Sequence, residues 1–99
     1  MESQENVYLI NNVLSQANGN DKIDITWTNP TTSFDFIILN YNITDDSSVN
    51  NIKLLNNATS YQITNLMPGS TILFVIKTFV NNLNPATTSV NSVTTSIIF

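Results

Sequence analysis

The 99-residue chain contains no cysteine and no histidine, and its three basic residues are all lysine, so arginine is absent as well. These absences exclude disulfide bridges, nucleophilic triads that need histidine, zinc sites built on cysteine or histidine, and bidentate arginine clamps for anions. With a net charge of −4, the chain also lacks the cationic surface that nucleic acids and anionic membranes attract. No stretch approaches the ~20 apolar residues of a membrane span. We therefore expect no cofactor, no nucleic-acid partner and no membrane insertion.

Carboxylates are the remaining side chains that could carry catalysis or bind a metal ion. The seven acidic residues are Glu2, Glu5, Asp21, Asp24, Asp35, Asp45 and Asp46. They fall at the amino terminus, in predicted turns and at solvent-facing strand positions, so they do not form the paired arrangement of a glycosidase. Asp45 and Asp46 are adjacent, without the spacing of a calcium loop. We predict that the protein is not an enzyme and has no catalytic, cofactor-binding or metal-binding residues.

The chain is rich in uncharged polar residues, with 17 Asn, 10 Ser and 13 Thr. Apolar residues make up 41% of it, which is enough for one domain over residues 1–99 with a modest core. The amino terminus has neither the basic start nor the apolar run of a signal peptide. The sequons at Asn42 and Asn57 are fewer than chance would give in this composition, so they do not indicate secretion and leave glycosylation open.

Short apolar runs with a period of two, separated by turn residues, predict an all-β fold. Ile23, Ile25 and Trp27 share one face of the clearest strand, and Asn18-Gly19 before it predicts a hairpin turn. The predicted strands are 7–14, 22–28, 34–43, 49–55, 60–66, 71–80 and 89–99. Together they form a seven-stranded antiparallel β-sandwich, in which the register of the first strand stays open.

Several residues of the predicted strands and turns recur at characteristic spacings: Trp27, Tyr41, Tyr61, Ile63, the corner Leu66-Met67-Pro68-Gly69-Ser70, and Val93-Thr94-Thr95. Their joint spacing resembles that of a fibronectin type III domain. The resemblance covers residues 23–95 and implies an immunoglobulin-like sandwich that acts as a non-catalytic module. The chain departs from the family at Ile72, where a tyrosine usually ties the corner to the backbone. It also lacks the family's usual proline near the start, and no Arg-Gly-Asp tripeptide follows residue 80.

The functional prediction rests on apolar residues that point away from the core. In the predicted sheet these are Phe36 and Ile38 on one strand and Leu73 and Val75 on its neighbour, with Ile98 added from the apolar tail. An exposed apolar cluster of this kind indicates a buried contact with a protein partner or with another copy. A slip of one residue would exchange the two faces and remove the cluster.

Two settings suit such a module. One is a small virion subunit, such as a capsid decoration or minor capsid protein. The other is an adhesion or spacer module from a larger extracellular or cell-surface protein. The partner's identity and the oligomeric state do not follow from the residues.

Overall fold

A computed structural model of the protein describes residues 7–44 and 49–96. These residues form eight strands in two antiparallel sheets. The strands are β1 (Asn11–Asn18), β2 (Lys22–Thr28), β3 (Phe36–Ile43), β4 (Val49–Leu55), β5 (Ser60–Ile63), β6 (Thr71–Phe79), β7 (Ala86–Thr87) and β8 (Asn91–Thr94). One sheet has the order β1-β2-β5, and the other has the order β4-β3-β6-β7, with β8 also paired to β6. The predicted all-β sandwich is therefore confirmed.

Alternating side chains build the core between the two sheets, because successive residues of a strand point to opposite faces. Ile23, Ile25 and Trp27 of β2 are buried, as the sequence predicts. Trp27 belongs to the same buried cluster as Ile63 and Phe74. Its indole Nε1 donates to Asn29 Oδ1 at 2.8 Å and to the Ala58 carbonyl at 3.1 Å. The large ring is thus buried without leaving its one polar atom unpaired.

The first strand lies further along the chain than residues 7–14. In the structure β1 runs from Asn11 to Asn18 and pairs with β2 across the turn that follows Asn18. The turn at Gly19 fixes the register of this hairpin. The bounds of β1 therefore depend on its pairing with β2 from that turn, and not on the position of the first apolar residue. A register shift occurs between Asn11 and Leu14, where Asn12 has φ 53°. Val7, expected in the strand, precedes it and is exposed.

The last strand is divided in two, which raises the strand count from seven to eight. β7 and β8 both pair with β6, and they are separated by residues 88–90. At Thr88 the side-chain hydroxyl accepts the hydrogen bond from Ile76 N at 2.9 Å, while Thr88 N still donates to the Ile76 carbonyl at 3.1 Å, so the regular ladder of backbone bonds is interrupted there. Residues 97–99 of the predicted strand lie outside the described residues, as does the predicted turn at 45–48.

The corner between β5 and β6 has the shape that the sequence predicts. Gly69 has φ 78°, and Ser70 N donates to the Met67 carbonyl at 3.1 Å. Ile72 is fully buried where the family carries tyrosine. The corner thus keeps its turn and gains an apolar side chain in the core.

Candidate protein-binding face

The outer face is the surface of the β4-β3-β6 sheet that points away from β1, β2 and β5. Its side chains come from alternate residues, since the intervening ones fill the core. Ile37, Leu39 and Phe74 are almost completely buried, which assigns their neighbours in the chain to the outside. The predicted assignment of the two faces is therefore correct, and no slip of one residue has occurred.

An aromatic pair occupies one end of the outer face. Phe36 and Phe79 are register partners on β3 and β6, with ring centroids 4.9 Å apart and ring planes 8° apart. This is the separation that stacked aromatic rings favour. Lys53 of β4 places its Nζ 4.4 Å from the centroid of the Phe36 ring, which attracts the cation through its electron-rich face. The three side chains form one apolar and cationic surface.

Two of the three lysines lie on the outer face, on either side of Ile38. The register pairs Ile38 with Lys53 of β4 and with Lys77 of β6. Strands β3, β4 and β6 contain no aspartate or glutamate, so Lys53 and Lys77 are the charged side chains that these three strands contribute to the outer face.

A shallow groove of about 220 Å³ lies at the other end of the outer face. Leu73 and Val75 contribute to its lining, together with Val49 of β4 and Val90 from the segment between β7 and β8. Val49 and Val90 are 64% and 68% exposed, so the groove is open and apolar. Its shape suits a few apolar side chains and is too small to enclose a drug-sized molecule.

A polar bridge separates the groove from the aromatic pair. Asn40 lies opposite Val75 on β6 and opposite Asn51 on β4, and its amide donates to the Asn51 side chain. The Asn40 Oδ1 atom is buried and has no hydrogen-bond partner among the described residues. Ile38 and Val75 are therefore diagonal neighbours, with Asn40 and Lys77 beside them.

The structure brings four of the five predicted interface residues to one surface. Phe36, Ile38, Leu73 and Val75 all lie on the outer face and are half-buried by their neighbours. Ile98 lies outside the described residues. Sequence reasoning missed four further members of this face: Val49, Lys53, Leu55 and Phe79. The alternation of residues 49–55 could have indicated that Val49, Lys53 and Leu55 share one face. Only the pairing of β4 with β3 shows that this face is the outer one.

The described carboxylates have local structural partners. Asp24 accepts hydrogen bonds from Asn18 at 3.1 Å and from Gln62 at 2.7 Å. Asp35 accepts one from Asn81 N at 2.8 Å, and Asp21 forms an ion pair with Lys22 at 3.5 Å. Within residues 7–44 and 49–96, no three potential metal-ligating side chains of the His, Cys, Asp and Glu type cluster together. The same residues contain no helix long and apolar enough to cross a membrane.

Comparison with solved structures identifies the fold. A domain of human collagen XX superposes with a TM-score of 0.80 at 12% identity, covering 96% of this chain and 98% of that one. A computationally redesigned β-sandwich protein gives 0.80 at 20% identity, covering 91% of each chain. The FN1–FN3 domains of chicken contactin 1 give 0.77 at 14% identity, covering 89% of this chain and 31% of that one. The protein therefore has the fibronectin type III fold that the residue spacings indicate.

Sequence comparisons add no family to this structural likeness. No protein-family model matches the chain, and no curated protein matches it.

Proposed function

We propose that the protein is a non-catalytic module that binds a protein partner through its outer face. The observation that carries this proposal is the stacked pair of Phe36 and Phe79 with Lys53 held against it. Aromatic side chains at a protein surface are the usual anchors of protein interfaces, since they bury a large area with little loss of conformational freedom. The apolar groove at Leu73 and Val75 extends the same surface.

Lysine beside aromatic and aliphatic side chains also favours a protein partner. Lys53 and Lys77 flank Ile38, so the apolar centre has charged groups at its sides. This is the arrangement of an interface with an apolar core and a polar rim. The size of the face suits an interface at the low end for specific complexes, about 1,000–1,600 Å² in total.

Two charge-introducing variants test this proposal. Replacing Ile38 and Val75 with lysine leaves the core untouched but places a lysine opposite Lys53 and Lys77. We therefore expect an intact fold with a somewhat lower melting temperature that no longer co-purifies with its native partner. The matched control replaces Gln16 and Thr26 with lysine, because both are exposed on the opposite sheet. This control adds the same charge and should retain the partner.

Either of two results would contradict the proposal. Partner retention by a folded Ile38→Lys/Val75→Lys variant would show that the outer face is not the interface. Equal loss by the Gln16→Lys/Thr26→Lys control would show that added charge, and not its position, disrupts binding.

Two settings for the module are proposed. The likeness to domains of contactin 1 and collagen XX, where this fold is one part of a longer chain, supports an adhesion or spacer module. The nearly uncharged surface, rich in Asn, Ser and Thr, suits a small virion subunit such as a capsid decoration protein. The reading frame around the coding sequence distinguishes them: further domains in the same frame favour the first, and neighbouring structural virion genes favour the second.

A further inference from the structure

Strand β4 forms an open edge of the larger sheet. Among the described strands it pairs with β3 alone, without a register shift from Val49 to Leu55. Its sequence contains no proline and no glycine, and Lys53 is its one charged residue. A regular edge strand with so little protection is a template for pairing with another strand.

The direction of the free backbone groups follows from the neighbouring pairs. Thr44 N donates to Thr71 O at 3.0 Å, one step beyond the β3–β6 pair of Ile43 and Ile72. Hydrogen-bonded pairs alternate along an antiparallel ladder, so the even residues of β3 bond to β6 and the odd ones bond to β4. The partners of those odd residues are Asn50, Ile52 and Leu54. The backbone groups of Val49, Asn51 and Lys53 therefore point to the open edge, as does Leu55 N, whereas the Leu55 carbonyl already accepts a hydrogen bond from Ala58 N at 3.0 Å.

The side chains of β4 are arranged almost symmetrically about Ile52. Val49 and Leu55, three positions to either side, are 64% and 76% exposed on the outer face. Ile52 and Leu54 pack against the core from the inner face but remain half-exposed. The smaller sheet is only three strands wide, so it does not cover this edge completely.

We infer that β4 pairs with β4 of a second copy in antiparallel orientation, about a two-fold axis through Ile52. The facing pairs are then Val49 with Leu55, Asn50 with Leu54, Asn51 with Lys53, and Ile52 with Ile52. Each exposed apolar side chain on the outer face meets another, and the half-exposed Ile52 meets its own copy beneath the sheet. The outward backbone groups of the odd residues bond to one another, since odd residues face odd residues in this register. The exception is the Leu55 carbonyl, which bonds to Ala58 N within its own chain.

Other registers that pair the outward backbone groups are less favourable. An axis through Lys53 places two lysines directly opposite each other, which is destabilising. An axis through Asn51 places Leu55, the most exposed apolar residue of the strand, beyond the end of the partner's β4. The register centred on Ile52 avoids the charge repulsion and covers both apolar ends.

A contact along one strand edge is small for a permanent dimer, which usually buries more than ~2,000 Å². The pairing should therefore be reversible. It joins the two outer faces into one continuous surface and doubles the binding sites proposed above. It concerns the strand edge and not the face, so the Ile38→Lys/Val75→Lys variant should still dimerise if the fold is intact.

Single cysteines test the register, because the chain has no cysteine of its own. In a non-hydrogen-bonded antiparallel pair the facing Cα atoms are ~4.5 Å apart, within the range that a disulfide spans. Ile52→Cys should form a disulfide-linked dimer in a glutathione redox buffer. Asn51→Cys and Lys53→Cys should each stay monomeric alone but form a mixed dimer when combined. Ser60→Cys, an exposed position on edge strand β5, measures random collision.

Each result of the cysteine experiments either supports or overturns the inferred pairing. Faster dimer formation by Ile52→Cys than by Ser60→Cys, together with the mixed dimer, supports the inference. Equal rates overturn it. If Asn51→Cys or Lys53→Cys alone forms the dimer as fast as the mixture does, the register is wrong, because that residue would then face its own copy.

A charge exchange gives a second test that needs no cross-link. Val49→Lys/Leu55→Lys places lysine opposite lysine at both ends, and sedimentation velocity should show dimerisation weakened by about tenfold or more. Val49→Lys/Leu55→Glu places lysine opposite glutamate and should restore it. Both positions are exposed, so both variants should melt like the parent. A parent protein that stays monomeric at millimolar concentration, or a glutamate variant that fails to restore pairing, overturns the inference.

Discussion

Ser70 and Thr95 bond to each other in both directions at the corner between β5 and β6. Ser70 N donates to the Thr95 hydroxyl at 2.9 Å, and Thr95 N donates to the Ser70 carbonyl at 2.9 Å. The same hydroxyl donates to the Met67 carbonyl at 3.1 Å. Both residues are buried. In this protein a threonine from the end of the chain holds the corner, while Ile72 fills the core.

Loss of the Thr95 hydroxyl should destabilise the fold. Thr95→Val keeps the shape but removes the hydroxyl's hydrogen bonds to Ser70 N and the Met67 carbonyl, which still bond to each other, so we expect a cost of about 0.5–1.5 kcal/mol in the free energy of unfolding. Urea unfolding measures it. Thr95→Ser keeps the hydroxyl and is the control. If Thr95→Ser loses as much stability as Thr95→Val, the hydroxyl does not stabilise the corner and the prediction is wrong.

Trp27 should be the most costly single position to truncate. Trp27→Ala removes a buried ring next to Ile25 and Phe74 and should cost about 3–5 kcal/mol. Trp27→Phe keeps an aromatic ring but removes the hydrogen bonds to Asn29 and Ala58, so its cost should be smaller. Thermal melting ranks the two. A Trp27→Ala variant that melts within a degree or two of the parent would contradict the burial of this side chain.

Gly19 isolates the effect of backbone conformation on stability. Its φ is +77°, and the nearest atom to an added Cβ is Asp21 Oδ1 at 4.0 Å, so no side chain would be displaced. Gly19→Ala should therefore cost about 1–2 kcal/mol from the left-handed conformation alone. Gly19→Asn should cost less, because asparagine adopts this conformation more readily. An alanine variant as stable as the parent in urea would mean that the turn changes its shape.

Alkaline unfolding should depend on Tyr41. Burial raises the pKa of Tyr41 above its ordinary value of 10.0, and the charge of Tyr61 raises it further. Because the folded state holds this proton more tightly than the unfolded chain, stability is complete below pH about 10 and falls as the pH rises through the folded-state pKa. Tyr41→Phe should lose less stability than the parent as the pH rises above about 10. An identical loss in urea unfolding would assign the alkaline transition to other groups.

Two strands were predictable to the residue. Strands β2 and β4 have the predicted bounds, 22–28 and 49–55, because their alternation and their turns are visible in the sequence itself. The first strand was misplaced because its register depends on pairing back from Gly19. The last strand was predicted as one because nothing local to Thr88 shows that its hydroxyl bonds to Ile76.

The sequence predicted which side chains of β3 and β6 point to the outer face, but not all the residues that form this face. Alternation alone places Phe36 and Ile38 outside, and the structure agrees. The positions of Lys53 and Phe79 beside Phe36 depend on the register of three strands, which come from distant parts of the sequence. Such non-local contacts cannot be seen along a single strand.

The hydrogen bond from Ser96 N to the Gly19 carbonyl, 3.1 Å long, also sets a limit on when this protein can finish folding. The two residues are 96 − 19 = 77 positions apart. At ~5–20 residues per second, a ribosome needs roughly 4–15 seconds to synthesise the chain between them. During that interval the residues of the first hairpin have been synthesised. The hydrogen bonds of Thr95 and Ser96, which connect the turn at Gly19 with the corner between β5 and β6, cannot yet form. The nascent chain must therefore keep its early strands unaggregated until its last described residues have left the ribosome.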